Sequence, residues 1–235
     1  MKLLNIFVGL PPISVVFGVS FPHRRLGSHG EPNPIFYERG ADWKQLSSGV
    51  SVGNDVTYNS LWAGAVISGK DFVSVTGNVV IGPAASPPGA QAGTTYASTT
   101  WVGIDGTGCA TQALLQTGVD SYVTNGVTRY EGWWECVMAT SATSGYATLE
   151  NLTTNKVANH TIINAARLCF SSAEWVVEDF YSNGRPSNFM ANFTTVKFTE
   201  ASATTKDGKK HDTSGSEIFG VKHGSKVYTD FINKA

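Results

Sequence analysis

Charge is the scarcest ingredient of this chain. Asp, Glu, Lys and Arg make up 15% of its 235 residues, against about 25% in an average soluble domain. The formal net charge is −1, so no bulk field draws in nucleic acid or an anionic membrane. Lys206, Lys209 and Lys210 form a local cluster that reads as a solvated turn. Cysteine is scarce too. Cys109, Cys136 and Cys169 contain no Cys-x-x-Cys pair, which speaks against a zinc or thioredoxin-like site, and no metal or cofactor is expected. None of the five histidines (His23, His29, His160, His211, His223) sits beside a plausible nucleophile in sequence, so a serine or cysteine triad has no positive signal, although triad members need not be neighbours. There is no His-Glu-x-x-His and no phosphate-cradling glycine loop before a helix. The missing His-Glu-x-x-His speaks against a zincin. The missing Asp-Thr-Gly or Asp-Ser-Gly pair leaves a two-aspartate peptidase unsupported.

Thr, Ser, Gly, Ala and Val fill the space that charge vacates, a mixture suited to short strands and small-residue turns. Strand signals fall at 61–67, 72–81, 99–104, 113–119, 132–138, 147–152, 174–180 and 192–199, each bounded by Gly, Ser, Asn or Asp. Almost nothing has helical periodicity. Many short strands at this spacing predict an all-β antiparallel sandwich or barrel. The start of the chain differs. Lys2 precedes a largely apolar stretch to Phe21, with small residues at Gly18-Val19-Ser20. This predicts a signal peptide over 1–20, although Pro11-Pro12 is awkward within it. Residues 21–56 are polar and turn-rich, as in a propeptide or loose extension, and the domain proper is expected over 57–235. In a secreted chain three cysteines imply one disulfide and one leftover thiol. Asn-x-Ser/Thr sequons begin at Asn151, Asn159 and Asn192, candidates for glycosylation.

Two strands carry polar groups among apolar neighbours. In one, Gln112, Leu114, Gln116, Gly118 and Asp120 share a face; in the other, Glu174, Val176 and Glu178 do. A carboxylate in so apolar a strand is costly unless paired or functional. Alternation alone does not separate Gln116 from Gln112, or Glu178 from Glu174.

Several segments occur in an order that resembles one family. They are Ser60-Leu-Trp62-Ala-Gly-Ala-Val, Trp101-Val-Gly-Ile-Asp105-Gly, Leu115-Gln116-Thr-Gly-Val-Asp120, Tyr130-Glu-Gly-Trp-Trp-Glu135, the stretch from Ala147 to Thr154, and Ala173-Glu-Trp-Val-Val-Glu178-Asp-Phe180. The chain resembles the fungal glutamic peptidases, or eqolisins, over about 58–204. The resemblance implies a double β-sandwich of concanavalin- or lectin-like (jelly-roll) shape, whose curved sheet forms a substrate cleft. It places the catalytic pair on Gln116 and Glu178, with Glu178 activating water and Gln116 stabilising the oxyanion. It gives Asp105 a supporting role through hydrogen bonds, and makes Trp62, Trp101 and Glu135 cleft or support positions. Core packing is an equal alternative for the two tryptophans. It pairs Cys109 with Cys169 and leaves Cys136 over. The implied protein is a secreted monomer that cuts protein or peptide substrates in acid, with no nucleic-acid or membrane partner after signal removal. One departure stands out. After Glu135 the family continues through a flap loop and a further strand, whereas here Cys136-Val-Met follows directly, and the C-terminus is short. A catalytically impaired homologue is therefore the alternative, with a lectin-like carbohydrate-binding module behind it on fold analogy alone.

Overall fold

The computed structural model describes residues 2–9, 56–109, 113–137, 143–165, 167–179, 181–182, 185–186, 190–193 and 195–228. Every regular element among them is a strand. In chain order these are β1 (Lys2–Gly9), β2 (Val56–Asn59), β3 (Trp62–Ser68), β4 (Phe72–Ile81), β5 (Thr95–Ile104), β6 (Leu114–Thr124), β7 (Val127–Val137) and β8 (Thr143–Asn151). There follow β9 (Lys156–Ala165), β10 (Ser172–Glu178), β11 (Tyr181–Ser182), β12 (Arg185–Pro186), β13 (Val196–Thr205), β14 (Lys210–His211), β15 (Glu217–His223) and β16 (Lys226–Val227).

Two large sheets result. One runs β14-β13-β4-β1-β8-β9; the other runs β16-β15-β3-β10-β5-β6-β7, with β2 beside β15. These strands pair antiparallel, except that β2 runs parallel to β15. The core lies between the sheets. Val75, Val79 and Ile81 of β4 meet Val102 and Ile104 of β5, Leu115 and Val119 of β6, and Trp175 of β10. The expected all-β sandwich is the observed fold.

Sequence alternation explains the main ladders. In β4, residues 75, 77, 79 and 81 are buried while their neighbours are half-buried, the period-2 pattern of a strand with one face on a core. The pattern breaks between Phe72 and Val75, where pairing with β13 shifts register between Thr204 and Thr205, as at a β-bulge. Asn125-Gly126 turns β6 into β7 with both residues at positive φ, 50° and 78°, which is what a two-residue hairpin of matching twist requires. β10 is buried at all seven positions because both of its faces are covered.

The differences from expectation are local. The strand foreseen at 192–199 begins at Val196, because Asn192 is held in a bridge to Ala85. β9 and β15 were not foreseen. β9 is an edge strand with Val157 55% exposed, so its alternation is diluted by Asn159, His160 and Thr161. The expected signal peptide and propeptide fall mostly outside the described residues. The described part, Lys2–Gly9, is β1, in the interior of its sheet between β4 and β8, with Ile6 fully buried. The sandwich thus draws one strand from outside 57–235.

Candidate active site

The outer face of the larger sheet, away from the core, carries the chemistry. Trp175 turns into the core, where its indole N–H donates to Thr76 O at 2.8 Å. Glu174, Val176 and Glu178 therefore take the opposite face of β10, with Trp62, Trp101, Leu114 and Trp133 gathered around Val176. Register sets these residues in rows. Glu178 pairs with Trp62 on β3 and Thr99 on β5, and Thr99 pairs with Asp120 on β6. Val176 pairs with Trp101, then Gly118, then Trp133. Glu174 pairs with Gly103, then Gln116, then Glu135.

Gln116 and Glu178 thus face the same way but lie in different rows. Their partners on β5 are four residues apart, about 14 Å of strand, and Trp101 stands between them. Its indole N–H donates to Glu178 Oε2 at 2.8 Å. Its ring lies over Gly103, where an added Cβ would come within 2.8 Å of Trp101 Cζ3. Only glycine there leaves room for the ring. Trp62 meets Trp101 edge-on, with centroids 5.1 Å apart. Gln116 Nε2 donates to Glu135 Oε2 at 2.9 Å. Trp133 Nε1 donates to Thr99 Oγ1 at 3.1 Å. Gln116, Glu174, Glu178, Trp62 and Trp101 are all fully buried.

Glu174 and Glu178 share a strand face but not an environment. Glu174 Oε1 accepts from the Gly106 amide at 2.9 Å. Burial pushes its carboxyl up from 4.5 to about 8; hydrogen bonds from Ser172 and Gly106 pull against this, and the nearby Asp105 charge reinforces it. Glu174 is therefore neutral throughout the acid range.

Asp105 lies at the end of this face rather than among the working groups. At φ 70°, its carboxylate accepts from Phe170 N and Ser171 N, both at 2.7 Å, and from Ser171 Oγ at 2.9 Å. The same two loops are joined by the Cys109–Cys169 disulfide, with Cα atoms 5.4 Å apart, as the resemblance implied. Asp105, Cys109 and Cys169 are the one metal-like cluster among the described residues, and a disulfide leaves no thiolate to bind an ion. Among the sequons, Asn159 and Asn192 are exposed. Asn151 is half-buried and caps its own turn, accepting from Thr153 N and Thr154 N. The side chain of Cys136 lies outside the described residues. Sequence reading missed Asp179, which is buried next to Glu178 and 3.5 Å from His223 Nε2. No local signal links these two residues, because β15 reaches the site only through the sheet.

Solved structures with this architecture define the class. The chain superposes on scytalido-glutamic peptidase with a transition state analog inhibitor at a TM-score of 0.61 and 33% identity, covering 75% of this chain and 95% of that one. It superposes on SCP-B, a member of the eqolisin family bound to the tripeptide Ala-Ile-His, at 0.59 and 36%, covering 73% and 92%. This is a β-sandwich peptidase of the glutamic type. In sequence it is 34% identical over 211 residues to Aspergillopepsin-2 of Aspergillus niger, covering 74% of each chain. It is 37% identical over 208 residues to Scytalidopepsin B of Scytalidium lignicola, covering 75% of each. The Peptidase A4 family profile matches residues 60–138 and 136–232, and the chain belongs to that family, the eqolisins.

Proposed function

We propose that the protein is a secreted endopeptidase that hydrolyses peptide bonds in acid through Gln116 and Glu178. Ionised Glu178 takes a proton from water as that water attacks the carbonyl carbon. One Gln116 N–H is held by Glu135; the other is left to donate to the oxygen that becomes negative. Glu178 then returns its proton to the leaving amine, and the C–N bond breaks. Substrates are extended peptide segments of proteins, and the sequons at Asn159 and Asn192 are accessible to glycosylation.

The observation that carries this reading is the contrast between two carboxyls on one strand face. Glu174, raised to about 8, cannot take a proton from water in acid because it already holds one. Glu178 instead accepts the Trp101 indole N–H at 2.8 Å. The test is release of peptides from an acid-denatured protein near pH 2–4 by the parent, Gln116→Ala and Glu178→Gln. Loss of the general base costs about 10²–10⁴-fold, and loss of the oxyanion donor about 10²–10³-fold. Equal rates in all three proteins would remove the assignment.

A second reading, an impaired homologue, has its own support. The family match falls in two pieces that meet at 136–138, and only five residues, 138–142, separate β7 from β8. On this reading that length is too short for the flap loop and strand that the family resemblance implies here. A parent that melts cooperatively but releases no peptide would favour this reading.

A further inference from the structure

The six-stranded sheet depends on a strand that the chain supplies from its N-terminal side. β1 pairs with β4 from Lys2↔Ile81 to Gly9↔Ser74, and with β8 from Leu4↔Asn151 to Gly9↔Tyr146. Without β1, the strands β14, β13 and β4 would stand on one side and β8 and β9 on the other. The gap would be two strand spacings, about 9.6 Å, lined by the unpaired N–H and C=O groups of both facing edges.

The pairing is specific. Ile6 is opposite Gly77 and Leu149, and it joins the inter-sheet core fully buried. Asn5 is opposite Asn78 and Glu150, and Asn78 is bonded to Glu200 on the outward side. A one-residue slip would exchange these rows and put the polar position into the core. Nothing between β7 and β8 can take the place of β1. β7 and β8 lie in different sheets and are only five residues apart in sequence, fewer than a connection plus a further strand of about 5–6 residues takes.

We propose that the slot between β4 and β8 is a strand-acceptor groove that residues 2–9 fill, so that this segment stays bound to the domain even when the chain is cut within 10–55. This reading is independent of the proposed catalytic pair. It requires that the folded protein keeps residues 2–9, so removal of 1–20 as a leader would overturn it.

The full-length chain tests it in two ways. Hydrogen exchange on the uncut protein should show the amides of residues 3–9 slowed by roughly a thousandfold or more relative to an unstructured peptide, as for strands opening with the sheet. Exchange within about tenfold of the free-peptide rate would overturn the proposal. Brief trypsin treatment can cut at Arg24, Arg25, Arg39 and Lys44. The N-terminal peptide should then co-elute with the domain in native size exclusion and separate only in denaturant. Release with simultaneous loss of the cooperative melt would also support the groove, since the sheet fails with its strand. Release from a domain whose melt is unchanged would overturn it. Ile6→Asp should abolish the protection of residues 3–9 together with that of β8. If that variant does not fold, exchange on the parent still decides.

Discussion

Glu174 should make this protein lose stability as pH rises from acid towards neutral. Its carboxyl titrates near 4.5 when unfolded and near 8 when folded. Below pH 4.5 it is neutral in both states, and its contribution is complete. Between 4.5 and 8 the unfolded chain ionises and the folded one does not, so stability falls by about 1.4 kcal/mol per pH unit. At pH 7 the loss is 2.5 pH units' worth, about 3 kcal/mol, and it levels off near 5 kcal/mol above pH 8. For a domain of this size that is a fall of roughly 10 °C in Tm by pH 7. Glu174→Gln isolates the effect. The amide keeps an oxygen for the Gly106 N–H and has no charge to bury. Melting curves of parent and variant at pH 4, 5, 6 and 7 should nearly coincide at pH 4 and diverge to about 3 kcal/mol in the variant's favour at pH 7. A difference that does not change with pH would refute the reasoning, because it would mean that Glu174 titrates alike in both states.

Three further outcomes follow from the same contacts. Trp101→Phe keeps the ring near Gly103 but removes the N–H that Glu178 accepts; a hydrogen bond to a charged group is worth about 1.5–3 kcal/mol, so kcat/KM at acid pH should fall by about 10–100-fold while the melt stays cooperative. Asp105→Ala removes three hydrogen bonds between the 105–109 and 167–171 loops and should cost about 2–4 kcal/mol in urea unfolding, with KM unchanged, since Asp105 lies at the end of the face. Replacing Cys109 and Cys169 together by Ser opens a loop of sequence separation 60 and should cost about 4 kcal/mol by the chain-entropy estimate, read as a lower Tm that reductant no longer affects.

Much of the fold was legible because the strands that build the core alternate cleanly. β4 was foreseen at its observed limits, and β10 and β3 within a few residues. β9 escaped because edge pairing tolerates polar residues that blur the period; β15 escaped because its apolar run is short and interrupted by Gly220. β1 escaped for a different reason. Its short apolar run suits a leader or a buried strand equally well, and only long-range pairing distinguishes them. The candidate site was legible as a list but not as an arrangement. Alternation put Gln116 and Glu178 among the polar candidates, and the family motifs chose them. That Trp101 stands between them is a property of register across β10, β5 and β6. So is the placement of Asp105 with the loops rather than beside the pair. The difference between Glu174 and Glu178 is likewise environmental: identical side chains four residues apart on one face, one whose burial outweighs its hydrogen bonds and one that accepts an indole N–H.

That difference is the centre of the account, and a single comparison tests it most directly: kcat/KM on one internally quenched peptide at acid pH for the parent, Glu178→Gln and Glu174→Gln. The expected result is a loss of about 10²–10⁴-fold in Glu178→Gln, with Glu174→Gln within about tenfold of the parent, because that amide replaces a carboxyl already neutral. A Glu178→Gln enzyme at parental rate, or a collapse confined to Glu174→Gln, would contradict it.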